Sequence, residues 1–251
     1  MELALLALGA LIAPGFLLIA CICFLRRLQP PESYWEIALC FAIGLLSGVV
    51  LVAALSWPLD QLTYRFAHAP VALGLYEAFI MAAIPEELSR FFVLRWRLSR
   101  MPSRLIASRC LLLGAVVGLG FASLENVGYC LDTGWTTVWE RSITSIPFHA
   151  LAGAIVGYFV GYSITTRNLN WSLLGVLITS TLHGVNNFDP QYFYLGNPSN
   201  NTDVDFPTHG IESIFITGWP QNIVICLLAS GLVVWLARRG TFQARINVAE
   251  I

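Results

Sequence analysis

The chain has 251 residues, of which 57% are hydrophobic and 12% charged, with a mean hydropathy of +0.69. That balance excludes an ordinary soluble domain and describes an integral membrane protein. The formal net charge is −1, so nothing electrostatic draws the chain to nucleic acid and no nucleic-acid partner is expected.

A membrane-spanning helix needs about 20 apolar residues. Seven runs meet that length, roughly 3–25, 36–57, 71–94, 106–131, 143–165, 171–189 and 212–236. None alternates as a barrel strand would. The expected fold is all-α, a polytopic membrane helical bundle of about seven transmembrane helices forming a single domain over 1–251. The first run has no basic residue before it and is followed by Arg26-Arg27, which reads as a first transmembrane helix and not a cleaved leader. All 14 basic residues are arginines. One set of loops holds Arg26, Arg27, Arg95, Arg97, Arg100, Arg104, Arg109, Arg167, Arg238, Arg239 and Arg245; the other holds only Arg65 and Arg141. The excess predicts the N-terminus outside and the C-terminus cytoplasmic. Residues 190–211 then form a polar extracytoplasmic loop and 240–251 a cytoplasmic tail. The six cysteines lie in or beside apolar runs without metal-ligand spacing, as small core residues do. Glycines four apart (Gly44 and Gly48; Gly114 and Gly118; Gly153, Gly157 and Gly161) predict close helix approach.

The third run departs from this apolar pattern. Ala83-Ile84-Pro85-Glu86-Glu87-Leu88-Ser89-Arg90 places two carboxylates and a guanidinium within five residues of an otherwise apolar span. A charge at the bilayer centre costs roughly 2.5–3.5 kcal/mol on insertion scales. Glu86 and Arg90 are four apart and share a helix face, whereas Glu87 points elsewhere and needs another partner. The fourth run adds Glu125 and Asn126, the fifth His149, and the sixth His183, Asn186 and Asn187. Four successive spans thus carry polar groups that the first, second and last almost lack, which predicts one shared polar site within a core of four helices over 70–190. His183 and Asn187, four apart, fall on one face; an imidazole and an amide can donate to a developing oxyanion, and a carboxylate beside an imidazole can deprotonate water. Three other readings stay open on the residues alone. They are a structural ion pair in a non-catalytic scaffold, a zinc site built from Glu86, His149 and His183 without a His-Glu-x-x-His motif, and a proton relay in a carrier.

The ordered blocks Glu86-Glu87-x-x-Arg90, Gly120-Phe121-Ala122-x-x-Glu125-Asn126 with Tyr129, Pro147-x-His149 and His183-Gly184-x-x-Asn187 resemble those of PrsW-type intramembrane proteases. More distantly they are similar to the CAAX-protease and bacteriocin-processing superfamily, which includes the Ras-converting prenyl endopeptidase. The resemblance covers about residues 70–190. It implies cleavage of a membrane-anchored protein, such as a single-span anti-sigma factor, in a bacterial plasma membrane. It also implies Glu86 as general base, His149 as its partner on the water, and His183 and Asn187 as oxyanion donors. Glu87, Arg90, Glu125 and Asn126 would be supporting groups. Glutamate chemistry needs no cofactor, while a metallo-type site would hold zinc. Arg90 stands where a lysine is frequent, which keeps the charge and changes the geometry. The depths also conflict: with the spans as drawn, Glu86 lies toward the cytoplasmic end of its helix, while His149, His183 and Glu125 fall in the outer half.

Overall fold

The structure is a computed structural model that describes residues 2–28, 30–65, 69–101, 105–188 and 219–239. The loop 190–211, with its Asn200-Asn201-Thr202 sequon, and the tail 240–251 lie outside the described residues. Every regular element described is helical. In chain order they are α1 (Glu2–Ala10), α2 (Ile12–Leu25), α3 (Tyr34–Asp60), α4 (Pro70–Leu75), a π-helical stretch (Tyr76–Ala83), α5 (Ile84–Leu98), α6 (Ala107–Thr133), α7 (Trp135–Ile143), α8 (Ser145–Thr166), α9 (Leu169–Asn187) and α10 (Trp219–Arg239). Thr63–Arg65 adds a 3-10 turn.

Among the described residues, five stretches are long and apolar enough to cross a membrane: Glu2–Leu25, Tyr34–Asp60, Ala107–Asp132, Trp135–Thr166 and Pro220–Arg238. The remaining two of the seven sequence-derived runs, in Pro70–Leu98 and Leu169–Asn187, carry Glu86, Glu87, Arg90, His183, Asn186 and Asn187. Their polar content lowers their hydropathy, and packing inside the bundle is what makes that content tolerable.

The bundle is built around α6. In its apolar window 78% of the residues are buried, against 22% in α3 and 17% in α10. The outer helices turn Phe16, Ile19, Leu46, Val50, Leu227 and Leu228 outward, the belt that lipid requires. The glycine ridges work as close contacts. A Cβ on Gly44 would run into the Val117 carbonyl, on Gly114 into that of Gly153, and on Gly118 into that of His149. Helices α3, α6 and α8 therefore meet backbone to backbone.

Two prolines shape the ends that matter. Pro85 has no N–H for the Met81 carbonyl, and its ring crowds that carbonyl. The helix widens just before it, and the Ile84 N–H bonds Phe79 O five residues back. Pro14 likewise offers no N–H to Ala10 O, and the first span breaks at Leu11 between α1 and α2. Through its π turn the third span runs unbroken from Pro70 to Leu98, about 40 Å at 1.5 Å per residue. Phe91, Leu94 and Leu98 are buried. Glu86 therefore sits near the middle of a helix that continues past 94, and it lies level with His183, 3.6 Å away.

At one end of the bundle, one buried and one half-buried ion pair tie the connections together. Arg109 pairs with Glu32 and donates to Pro30 O at 2.6 Å; Arg26 donates to Glu32 O at 2.8 Å; Arg97 pairs with Glu36. All six cysteines are free thiols.

Candidate active site

The charged face of α5 meets α6, α8 and α9 in the middle of the bundle. Arg90 is fully buried and lies at the centre. It pairs with Glu87 three residues back and with Glu86 Oε2 at 3.2 Å. Glu87, expected to need a partner off its own helix, has two: Arg90, and His183 on α9, whose Nδ1 lies 2.8 Å from Glu87 Oε1. The Arg90 guanidinium stacks 4.3 Å over the Phe121 ring, a cation–π contact between buried groups. Phe148 packs edge-on against both imidazoles, with ring centroids 5.9 Å from His149 and 5.2 Å from His183.

Hydrogen-bond logic sets the imidazole protons. Arginine only donates, so His149 Nδ1, 2.5 Å from Arg90 Nη2, accepts. The proton of neutral His149 is then on Nε2, which faces Glu125 Oε2 at 2.7 Å. By the same rule, ionised Glu87 accepts from His183 Nδ1–H, leaving the His183 Nε2 lone pair facing Glu86 Oε2 at 3.6 Å. Each histidine thus hands its N–H to a carboxylate and turns a lone pair inward. Three carboxylates (Glu86, Glu87, Glu125) face two guanidiniums (Arg90, Arg141), so with neutral imidazoles the cluster carries one surplus negative charge. Arg90 Nε and Glu87 Oε2 are buried without a hydrogen-bond partner, which is costly unless something arrives to meet them.

Six expected residues, Glu86, Glu87, Arg90, Glu125, His149 and His183, form one network. Asn126 joins it through Arg141, whose Nε donates to Asn126 Oδ1 at 3.1 Å. Asn187 does not share the buried environment. It is exposed at the last turn of α9 and accepts from Asn186 Nδ2 at 3.4 Å. Asn186 is the buried amide, with Oδ1 unpartnered. Arg141 was grouped with the outer-loop arginines by its position between apolar runs; hydropathy gives no sign that α7 folds back and brings it to Glu125.

The model of the PrsW family of intramembrane metalloproteases matches residues 32–198, a stretch that contains the whole network. The chain belongs to the PrsW family. It is 30% identical to the protein named Protease PrsW from Bacillus subtilis (strain 168) over 147 residues, 56% of this chain and 65% of that protein. It is 28% identical over 183 residues to the Protease PrsW of Oceanobacillus iheyensis, covering 72% and 81% of the two chains. It is 30% identical over 180 residues to that of Geobacillus kaustophilus, covering 69% and 75%. No solved structure matches.

The family's description names a metal, and the donor set of this chain fits one. Ligand atoms of Glu86, His149 and His183 all lie within 4.8 Å of one another. The 3.6 Å between Glu86 Oε2 and His183 Nε2 is close to what two ligands on a tetrahedral zinc would show, given bonds of about 2.0–2.2 Å. Glu87 and Glu125 face one nitrogen of each of the two histidines, as carboxylates do around metal-ligating imidazoles. One condition applies: Arg90 occupies the inward lone pair of His149 and must release it for the set to be complete.

Proposed function

We propose that the protein is an intramembrane endopeptidase that cuts a membrane-anchored protein substrate, with Glu86 as the general base. The observation that carries this reading is the convergence of Glu86, His183 and His149 on one buried point. Glu86 Oε2 and His183 Nε2 are too far apart for a direct hydrogen bond, and one water can bond both. In this scheme the water oxygen attacks the scissile carbonyl carbon while Glu86 takes its proton. The proton then passes to the amide nitrogen as the C–N bond breaks. Arg90 supplies a fixed positive charge for the oxyanion, 3.2 Å from Glu86 Oε2 and with an unbonded Nε–H, the kind of preorganised donor that such intermediates need. Glu87 keeps the His183 lone pair toward the water, and His149 orients Arg90. His183 then takes the place on the water that the resemblance gives to His149. A bacterial plasma membrane and a single-span substrate, an anti-sigma factor among the candidates, complete the reading.

A second reading rests on the donor spacing: Glu86, His149 and His183 would hold zinc, which as a Lewis acid would polarise the scissile carbonyl and activate water. The test of the first reading compares membrane-protein N-termini in cells expressing wild type or Glu86→Gln at matched levels. Termini that require Glu86 are expected; a folded Glu86→Gln protein that still produces them overturns the assignment. Stoichiometric zinc in the purified active protein, lost together with activity on chelation, would decide for the second reading.

A further inference from the structure

We propose that Arg141 is a positioning residue of this site, a link in a chain of hydrogen bonds and ion pairs that runs from the break in the first span through Asn126 and Glu125 to His149 and fixes the tautomer of that imidazole. The claim rests on the protease reading for its catalytic consequence. Its geometry stands apart.

The chain begins at Pro14. Lacking an N–H, it leaves Ala10 O without its helical partner, and Asn126 Nδ2 donates to that carbonyl at 2.6 Å. This bond fixes the amide, so Oδ1 faces Arg141 and accepts from its Nε at 3.1 Å. The same guanidinium places Nη2 3.0 Å from Glu125 Oε2 and lies 4.2 Å over the Tyr129 ring. Glu125 in turn faces His149 Nε2. Arg141 reaches this point because α7 folds back against the bundle. Gly134 (φ +85°) opens it and Thr144 (φ −115°, ψ −80°) ends it. Val138 packs with Leu6, Ala10 and Cys130, while Trp139 faces outward.

Glu125 is the most exposed member of the network, with 21% of its side chain accessible against 3% for His149 and 0% for Arg90. Without Arg141 it is free to turn to water, and His149 loses the acceptor that keeps its proton on Nε2. The inward Nδ1 lone pair, and with it the placement of Arg90, is then no longer fixed. A clamp that merely holds α7 to α6 would change stability and leave the imidazole as it is.

The experiment prepares wild type, Arg141→Gln and Arg141→Lys in lipid bilayers with 15N-labelled histidine, His149 being assigned by comparison with His149→Gln. The wild-type spectrum is expected to show the Nε2–H form of His149. Arg141→Gln should lose it; Arg141→Lys, which keeps a charge for Glu125 and loses the bond to Asn126, should be intermediate. An unchanged His149 signal in Arg141→Gln overturns the proposal. On the substrate identified by its Glu86-dependent terminus, kcat of Arg141→Gln should fall by about ten- to a hundredfold, the range for groups that orient a site residue, with KM little changed. A wild-type kcat overturns the catalytic consequence. If Arg141→Gln fails to reach the membrane, Pro14→Ala tests the chain from its far end. It restores an N–H for Ala10 O, frees Asn126, and should shift the His149 signal in the same direction; no shift there also counts against the proposal. If no Glu86-dependent terminus exists, the protease reading falls, while the spectra still decide the hydrogen-bond chain.

Discussion

Among the described residues, ionic groups gather inside the bundle in two places, and these are built differently. In the knot that joins the start of α3, the end of α5 and the start of α6, each carboxylate meets its own guanidinium: Glu32 with Arg109, and Glu36 with Arg97. Arg109 also donates to Pro30 O. No imidazole takes part. In the network of α5, α6, α8 and α9, carboxylates outnumber guanidiniums and two histidines hold inward lone pairs. A cluster that only holds helices together can balance its charges one for one. One that is to bind water and a peptide bond keeps capacity unused.

Substitution should separate the two. Glu86→Gln is nearly isosteric and should lower cleavage by about 10²–10⁴-fold, the usual worth of a general base, with the purified protein unfolding near the wild-type temperature. A large fall in thermal stability with cleavage intact would reverse the roles assigned to the two regions. Arg109→Ala strands Glu32 in a buried site and should cost about 3–5 kcal/mol of stability, read by thermal unfolding, with cleavage per folded molecule unchanged. Gly118→Ala lies between: its Cβ would press on the His149 carbonyl. Overpacking should cost about 1–3 kcal/mol, and His149 would shift with α8, so activity should fall further than stability does. Asn187→Ala should have the smallest effect. An exposed substitution changes stability by no more than about 0.5 kcal/mol, and cleavage should stay within about twofold of wild type; Asn186→Ala, at the buried amide, should reduce it more. A strong loss from Asn187→Ala, with Asn186→Ala silent, would return the oxyanion role to Asn187.

Much of this was legible in the sequence because membrane helices advertise themselves. The apolar runs gave the helical bundle, the glycine spacings gave the close contacts of α3, α6 and α8, and the four-residue step from Glu86 to Arg90 gave the ion pair at the centre. What escaped had non-local causes. Arg141 looks like a loop arginine until α7 folds back on Glu125. Arg95 and Arg97 close the third apolar run at 94, yet the helix continues to Leu98 and Arg97 is neutralised by Glu36. Spacing alone placed Asn187 beside His183, but α9 ends there and leaves Asn187 exposed, while Asn186, one position earlier, is buried.

The π turn at Tyr76–Ala83 has an implication for how this gene can change. Its rings close over five residues where an α-helix closes over four, so the segment contains a spare residue. Loss of one codon there can be absorbed by tightening the turn, with Pro70–Leu75 and the Glu86 face both keeping their directions. The same loss within α6, which has no such slack, would rotate everything beyond it by about 100° and turn Glu125 away from His149. Among the helices of this fold, the segment just before Glu86 is therefore where length variation should be inherited most easily.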